Sequence, residues 1–447
     1  MGKMSSWKMI LLGFQHVCVM YGGAVAVPLM IGPAIGLSQQ QLVYLISFDL
    51  VTCGIVTWIQ VIGGRYYGIK LPALMAVSFV VVEPVIAIGK IHSITGVLGA
   101  VIVSGVVVTI LAQFFGKIVK YFPPLVTGSV VLIIGTSLMP VAMNNAAGGA
   151  GASDFGHAHN LLLAVFTLIC FLILNHYLRG FMKTIAVLIS MVIGSFVGAF
   201  MGLVDVGVMA KASWFTMVTP FYFGMPTFQL SSILAMSVIA IIIMIESVGV
   251  FMALGEFCDR KVGEEEIKKG LRAEGIGGVI SGILNSFNHS TFSQNVGLVF
   301  LTGVKSRYVV ITAGGILILL GLMPKVAALT TMIPKPVLGG AMIPMFGMLI
   351  SAALRMILKS DLTKTTNQLI VAVGVGVGLA VKGVPDVFAG YPDLIQLLFG
   401  NGVVMGSIML FVLNLFLNGP EEEVEKAEPT AGERDDSLKS VEPEATL

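Results

Sequence analysis

The sequence predicts an all-α polytopic membrane protein of fourteen transmembrane segments, built as two inverted repeats of seven. Three observations carry this. The chain is 56% hydrophobic and only 11% charged, against roughly 25% charged residues in a soluble domain. Its basic residues collect on one side of the segments. A proline–glycine motif recurs seven segments apart.

The apolar runs lie near 8–31, 41–63, 71–88, 94–115, 122–143, 160–178, 184–204, 229–256, 274–287, 291–303, 308–323, 334–357, 367–383 and 396–417. A spanning helix needs about 20 mostly apolar residues. The first run carries Gln15 and His16 and the second Asp49. The third, Leu71 to Ile88, is interrupted by Pro72 and Pro84. The fifth opens on Phe122-Pro-Pro, the eighth holds Glu246, and the ninth starts at Arg272-Ala-Glu274-Gly. The tenth, Thr291 to Gly303, is short and polar. Backbone that is not helical at membrane depth persists only where protein or a water-filled cavity satisfies it. The third and tenth segments therefore point to a path for a polar small molecule.

Charge sets the orientation. With a cytosolic N-terminus and fourteen crossings, 21 Lys and Arg fall inside and five outside (Lys90, Lys211, Lys325, Lys335, Lys382). That is a strong positive-inside bias, and a miscounted span would destroy it. Both termini are expected in the cytosol. No cleavable signal pattern precedes the first span. The final segment, 418–447, holds ten acidic and three basic residues and is expected to be a disordered cytosolic tail.

The repeat is read from Phe122-Pro-Pro-Leu-Val-Thr-Gly and Ile333-Pro-Lys-Pro-Val-Leu-Gly, which open the fifth and twelfth segments. Seven is odd, so the halves have opposite topology. The same offset carries Ser78-Phe79 close to Ser290-Thr291. Paired broken segments in inverted halves mark a transporter's central site.

Glu246 is an acid within Ile241-Ile-Ile-Met-Ile-Glu-Ser-Val-Gly. Intramembrane acids mark substrate or proton paths. His16 either is satisfied by a backbone carbonyl or handles a proton. Gln294 and Asn295 each present donors and acceptors, suited to a heterocycle with alternating N–H and C=O groups, or else act as glue between helices. Glu274 either favours the helix dipole or braces Arg272 or a site group. Asp49 and Glu83 are acids at depth without an assigned role. The run Asp259 to Lys269 reads as a solvated loop. Cys18, Cys53, Cys170 and Cys258 lie apart and read as small buried hydrophobes, so neither a metal nor a cofactor is expected. There is no Walker A motif, nucleophile–base pair or HExxH, so the chain is not expected to be an enzyme.

At these residues the chain resembles the nucleobase–ascorbate transporter family, most of all its bacterial xanthine permeases. Gln294-Asn-Val-Gly…Thr302-Gly303, Gln15-His16, Met20-Tyr21-Gly-Gly, Met143-Asn144-Asn145, Glu246-Ser-Val-Gly and Arg272-Ala-Glu274-Gly carry the likeness. The resemblance implies a core domain (8–115 and 229–323), a gate domain (116–204 and 324–417), a cytosolic N-terminus (1–7), and a short strand in each broken segment. It implies that Glu246 and Gln294 hydrogen-bond the substrate ring, with Ser78, Phe79 and Ser293 completing the site. His16, Glu274 and Asn295 would affect proton coupling or affinity, alongside Glu246. Gln at position 294 favours an oxidised purine over uracil. Departures from the family pattern are Asn288-His289, Phe300 and the stretch Ser78 to Glu83.

The expectation is a proton-coupled importer of xanthine, with uric acid and then uracil as alternatives, in the plasma membrane. Its partners would be the purine, the proton, the bilayer and a second copy of the chain; no nucleic acid is expected. A receptor or scaffold would not need paired broken spans. An anion exchanger of the same fold would favour a positive group over Glu246.

Overall fold

The computed structural model describes residues 5–115, 121–204 and 207–419. From residue 420 onward, the acidic tail lies outside the described residues, as do residues 1–4 of the N-terminal segment, Lys117 and Lys120. Each of the fourteen apolar runs overlaps a helical element, the third and tenth also taking in a short strand. The first four give α1 (Ser6–Ala34), α2 (Gln39–Ile62), the strand β1 (Met75–Val77) and α3 (Val82–Leu111). Then come α4 (Pro124–Ala146), α5 (Ala158–Tyr177) and α6 (Ala186–Phe200). The second half follows with α7 (Leu230–Phe257), α8 (Glu264–Ile283), the strand β2 (His289–Thr291), α9 (Gln294–Thr302) and α10 (Arg307–Gly321). It closes with α11 (Pro324–Thr331), α12 (Lys335–Ile357), α13 (Thr365–Gly383), α14 (Asp393–Phe399) and α15 (Gly402–Leu417).

Among the described residues, eight helices are individually long and apolar enough to cross a membrane. Two bent pairs, α10 with α11 at 81° and α14 with α15 at 71°, raise this to ten. The remaining segments are the broken ones and the shorter or more polar helices. The third and fourth segments adjoin within α3, which is two helices that meet at Ser93 (φ 60°, ψ 179°). Those angles are not helical and that φ is one L side chains rarely adopt, so the first helix, a half-helix from Val82, ends there and the second starts.

The helices associate in two sets. In one, α3 packs on α7 and α8, and α2 packs on α10, which also packs on α1. In the other, α4 packs on α12, α13 and α15, and α12 packs on α5. The pair α4 and α12 opens on the repeated proline motif; each has Pro at its N-terminus, where the missing N–H costs nothing. They run antiparallel, with Gly128 against Ile357 and Gly339 against Ala146. A Cβ on Gly339 would lie 2.1 Å from the Ala146 nitrogen, so only glycine permits that approach.

The two broken segments meet in an antiparallel two-stranded sheet: Met75 opposite Thr291, Ala76 opposite Ser290, and Val77 opposite His289. Each strand lends the other its backbone partners, which membrane depth requires.

One expectation is corrected. The run from Glu264 to Lys269 is not a solvated loop but the start of α8. Three acids in its first turn favour the helix dipole. Glu266 accepts from the Gly263 N–H at 3.1 Å, and Lys268 pairs with Glu264 at 2.8 Å. Its polarity hides it from a search for apolar runs.

Candidate functional site

A cavity opens where the sheet meets the second helix set. On one side lie Ser78, Phe79, Glu246 and the stretch Ser290 to Gln294. Phe122, Thr127 and Val130 of the α4 region face them, with Leu349 of α12. Four of the five residues expected to bind substrate are thus on the N-terminal ends of the two half-helices, and the fifth, Glu246, is on α7. Those ends carry free N–H groups and partial positive charge, directed at the space that Glu246 borders.

Ser78 explains part of this arrangement. Its Oγ accepts from the Val80 N–H at 3.3 Å, which starts the turn, and its hydroxyl lies beside the Glu246 carboxylate. Glu246 Oε2 is buried without a protein partner among the described residues. Ser293 Oγ donates to Gln294 Oε1 at 3.2 Å, leaving the amide nitrogen of Gln294 uncommitted by that bond. Phe79 meets Phe346 of α12 edge to face, ring centres 5.8 Å apart, so one aromatic contact joins the two helix sets at the cavity.

Glu274 does not act at a helix start. It is buried midway along α8, where Thr291 Oγ1 donates to it at 3.1 Å. Ser247 Oγ in turn accepts from the Thr291 N–H at 3.4 Å. Nor does Glu274 brace Arg272, whose guanidinium bonds the Tyr66 carbonyl at 3.1 Å and Gln113. Thr291 thus ties Glu274 to β2, while Glu246 sits beside Ser78, the residue that follows β1.

His16 and Asn295 do not line the cavity. Both are buried, and His16 Nδ1 and both polar atoms of the Asn295 amide lack protein partners among the described residues. A buried unpaired amide costs about 1–3 kcal/mol, so Asn295 is not explained as glue between helices. Sequence reasoning missed two further features. Phe122 and Phe292 add aromatic surface to the cavity walls. Glu83 is ion-paired with Lys382 of α13 beside a second, larger cavity that also includes Lys90, Asn144, Asn145 and Lys335. The pairing signal lay in Lys382, one of the five cations outside the positive-inside pattern.

Comparison with known proteins fits this architecture. A profile described as a permease family matches residues 7–387. The nucleobase transporter PlUacP of Paenibacillus larvae is 47% identical over 419 residues, covering 94% of this chain and 96% of that protein. A xanthine permease of Bacillus subtilis is 47% identical over 411 residues, 92% and 94% of the two chains. The uric acid transporter UacT of Escherichia coli is 44% identical over 442 residues, 98% and 92%. Among solved structures, the transmembrane domain of the cyanobacterial bicarbonate transporter BicA superposes with a TM-score of 0.63 at 15% identity, over 88% of this chain and 97% of that one. The murine solute carrier 26 family member A9 anion transporter, in its inward-facing state, gives 0.60 at 13%, over 93% and 69%. These two share the fold alone, an inverted-repeat membrane architecture. The chain is thus a multi-pass membrane transporter rather than an enzyme, and it belongs to the nucleobase–ascorbate transporter family.

Proposed function

We propose that this protein imports xanthine together with a proton. The observation that carries the reading is the pairing of Glu246 and Gln294 on one cavity with aromatic walls. An oxidised purine is flat and alternates N–H and C=O along its edge. Glu246 accepts from a ring N–H, and the Gln294 amide supplies the donor and acceptor that a neighbouring C=O and N–H need. Phe79, Phe122 and Phe292 offer apolar faces to the ring. The N-terminal ends of the half-helices stabilise negative charge on Glu246 or on the substrate.

Helices α1 to α3 and α7 to α10 form the core domain (8–115 and 229–323) that carries the substrate. The rest, within 116–204 and 324–417, forms the gate. Protonation of Glu246 with substrate bound leaves the site without net charge, so the core crosses the low-dielectric gate interface at lower cost. Loss of the proton on the cytosolic side weakens binding and releases the purine. Asn295, His16 and Glu274 tune this coupling, Glu274 by holding β2. Both termini face the cytosol and the protein lies in the plasma membrane as a homodimer; the charge bias of the loops supports the orientation.

Uric acid is the second candidate, because relatives of closely similar identity carry that name. Uptake of radiolabelled xanthine in cells lacking purine permeases separates the candidates. The expected result is protonophore-sensitive uptake, competed by xanthine and urate and not by uracil. Uptake that ignores the protonophore, in protein shown to reach the membrane, sinks the coupling; competition by uracil alone sinks the substrate.

The Glu83–Lys382 pair joins the core half-helix to the gate. It is expected to hold one end of the transport cycle closed. A partly exposed pair lies between surface and buried pairs in worth, so Glu83→Lys or Lys382→Glu alone is expected to slow uptake by roughly tenfold. The double exchange is expected to recover most of the rate; failure to recover, with normal surface amounts, removes the latch.

A further inference from the structure

Away from the substrate cavity, Asp49, Cys53 and His289 converge inside the first helix set. All three are buried, with relative exposures of 1%, 0% and 2%. Asp49 and Cys53 are four residues apart on one face of α2, and His289 opens β2. Cys53 Sγ lies 3.2 Å from His289 Nε2 and 3.9 Å from Asp49 Oδ2, and His289 Nε2 lies 3.8 Å from Asp49 Oδ1. Tetrahedral zinc with ordinary Zn–S, Zn–N and Zn–O bonds sets its donors about 3.4–3.6 Å apart. The sulfur–nitrogen separation is shorter than that spacing, and the two to the carboxylate, measured to its two different oxygens, are longer, so a small rotation of Asp49 would bring one oxygen to the ion.

The surrounding groups prepare the donors. The Ser281 hydroxyl is committed to the Gly277 carbonyl at 2.7 Å, so its oxygen accepts from His289 Nδ1–H at 2.9 Å. That fixes the tautomer whose Nε2 lone pair faces Cys53 and Asp49. A hydrogen bond on the far ring nitrogen is the usual support of a metal-bound histidine. Ser286 Oγ donates to Asp49 Oδ1 at 2.5 Å. Among the described residues no Lys or Arg pairs with Asp49, and the His289 Nε2 that lies 3.8 Å from it presents a lone pair in the tautomer that Ser281 fixes. An ionised aspartate without a cation is costly in such an interior.

We propose that Asp49, Cys53 and His289 form a three-ligand site for a soft divalent cation, zinc above all, with the fourth position of the tetrahedron left to water. Asp49 and Cys53 bind as carboxylate and thiolate, His289 as the neutral imidazole, so the dication and its two anions sum to zero. Cys53 releases its proton on binding, as does Asp49 where it holds one. Thiolate with imidazole selects zinc over the oxygen-seeking calcium, magnesium or sodium. The ion ties α2 to β2 and so fixes the strand that leads to Gln294. The buried position means that the metal enters before the helices close.

The test uses the full chain, produced in cells grown with zinc, or with cobalt under zinc depletion, and purified without chelator. Metal content is measured by mass spectrometry. The expected result is about one zinc per chain, lost in Cys53→Ser and His289→Tyr but kept in Cys170→Ser. Cobalt-grown protein is expected to show the near-ultraviolet thiolate-to-cobalt band. Zinc below about a tenth of an equivalent in the wild type, with no cobalt band, overturns the proposal and leaves a metal-free Cys–His–Asp hydrogen-bond network. Wild-type zinc that persists in folded Cys53→Ser and His289→Tyr also overturns it, since the metal then lies elsewhere. If those variants fail to accumulate, the cobalt band of the wild type decides between thiolate ligation and none.

Discussion

Glu246→Gln is expected to lower xanthine uptake by roughly tenfold or more at equal surface abundance, because an amide cannot take up and release the proton that loads and unloads the site, and a lost neutral hydrogen bond costs about 0.5–1.5 kcal/mol. The substitution keeps the side chain's size, so folding should hold. What it removes is the acidic proton shared between binding and release. Residual uptake is therefore expected to lose its sensitivity to a protonophore, a readout that damage to packing would not move. Gln294→Glu is the companion: it replaces a donor with a second acid on the same cavity and should shift competition away from xanthine. Normal xanthine uptake by both variants would sink the site assignment.

Gly339→Ala has the largest expected effect on the fold. Its Cβ would meet backbone, 2.1 Å from the Ala146 nitrogen and 2.7 Å from the Ala142 carbonyl oxygen, and backbone cannot swing aside as a side chain can. Helices α4 and α12 would have to separate along their shared face. Overpacking costs about 1–3 kcal/mol and sometimes more, a large share of a marginal stability. Gly347→Ala, on the same helix with nothing near its Cβ, is the control. Monodisperse yield and melting temperature in detergent are expected to fall for Gly339→Ala and not for Gly347→Ala. Equal behaviour would mean that α4 and α12 do not pack as described.

The bilayer made much of this fold legible. Apolar runs of span length, a one-sided spread of Lys and Arg and an odd repeat offset leave few alternatives, and each is a direct demand of the solvent. The helix start at Glu264 was not legible, because its stabilisation comes from capping and the dipole rather than from apolar length. At the site, Glu246 and Gln294 stood out as polar groups where polarity is costly. The role of Glu274 did not, since its partner Thr291 is on another element and only folding brings them within 3.1 Å. Cys53 read as a buried hydrophobe for the same reason: its partner His289 is 236 positions away. Lys382 was visible as a charge on the sparse side, but the carboxylate it meets, Glu83, is set by the packing of α3 against the other helix set.

The strand pair also has a consequence for how the chain is made. Met75 waits for Thr291, so 291 − 75 = 216 residues must be added before β1 meets its partner. At about 5–20 residues per second, that is roughly 10–40 seconds of synthesis. Through that interval the strand's N–H and C=O groups, already at membrane depth, have no sheet to join. The nascent first half is thus the species that quality control meets, and the binding site comes into existence only when the ribosome has passed the second half's strand.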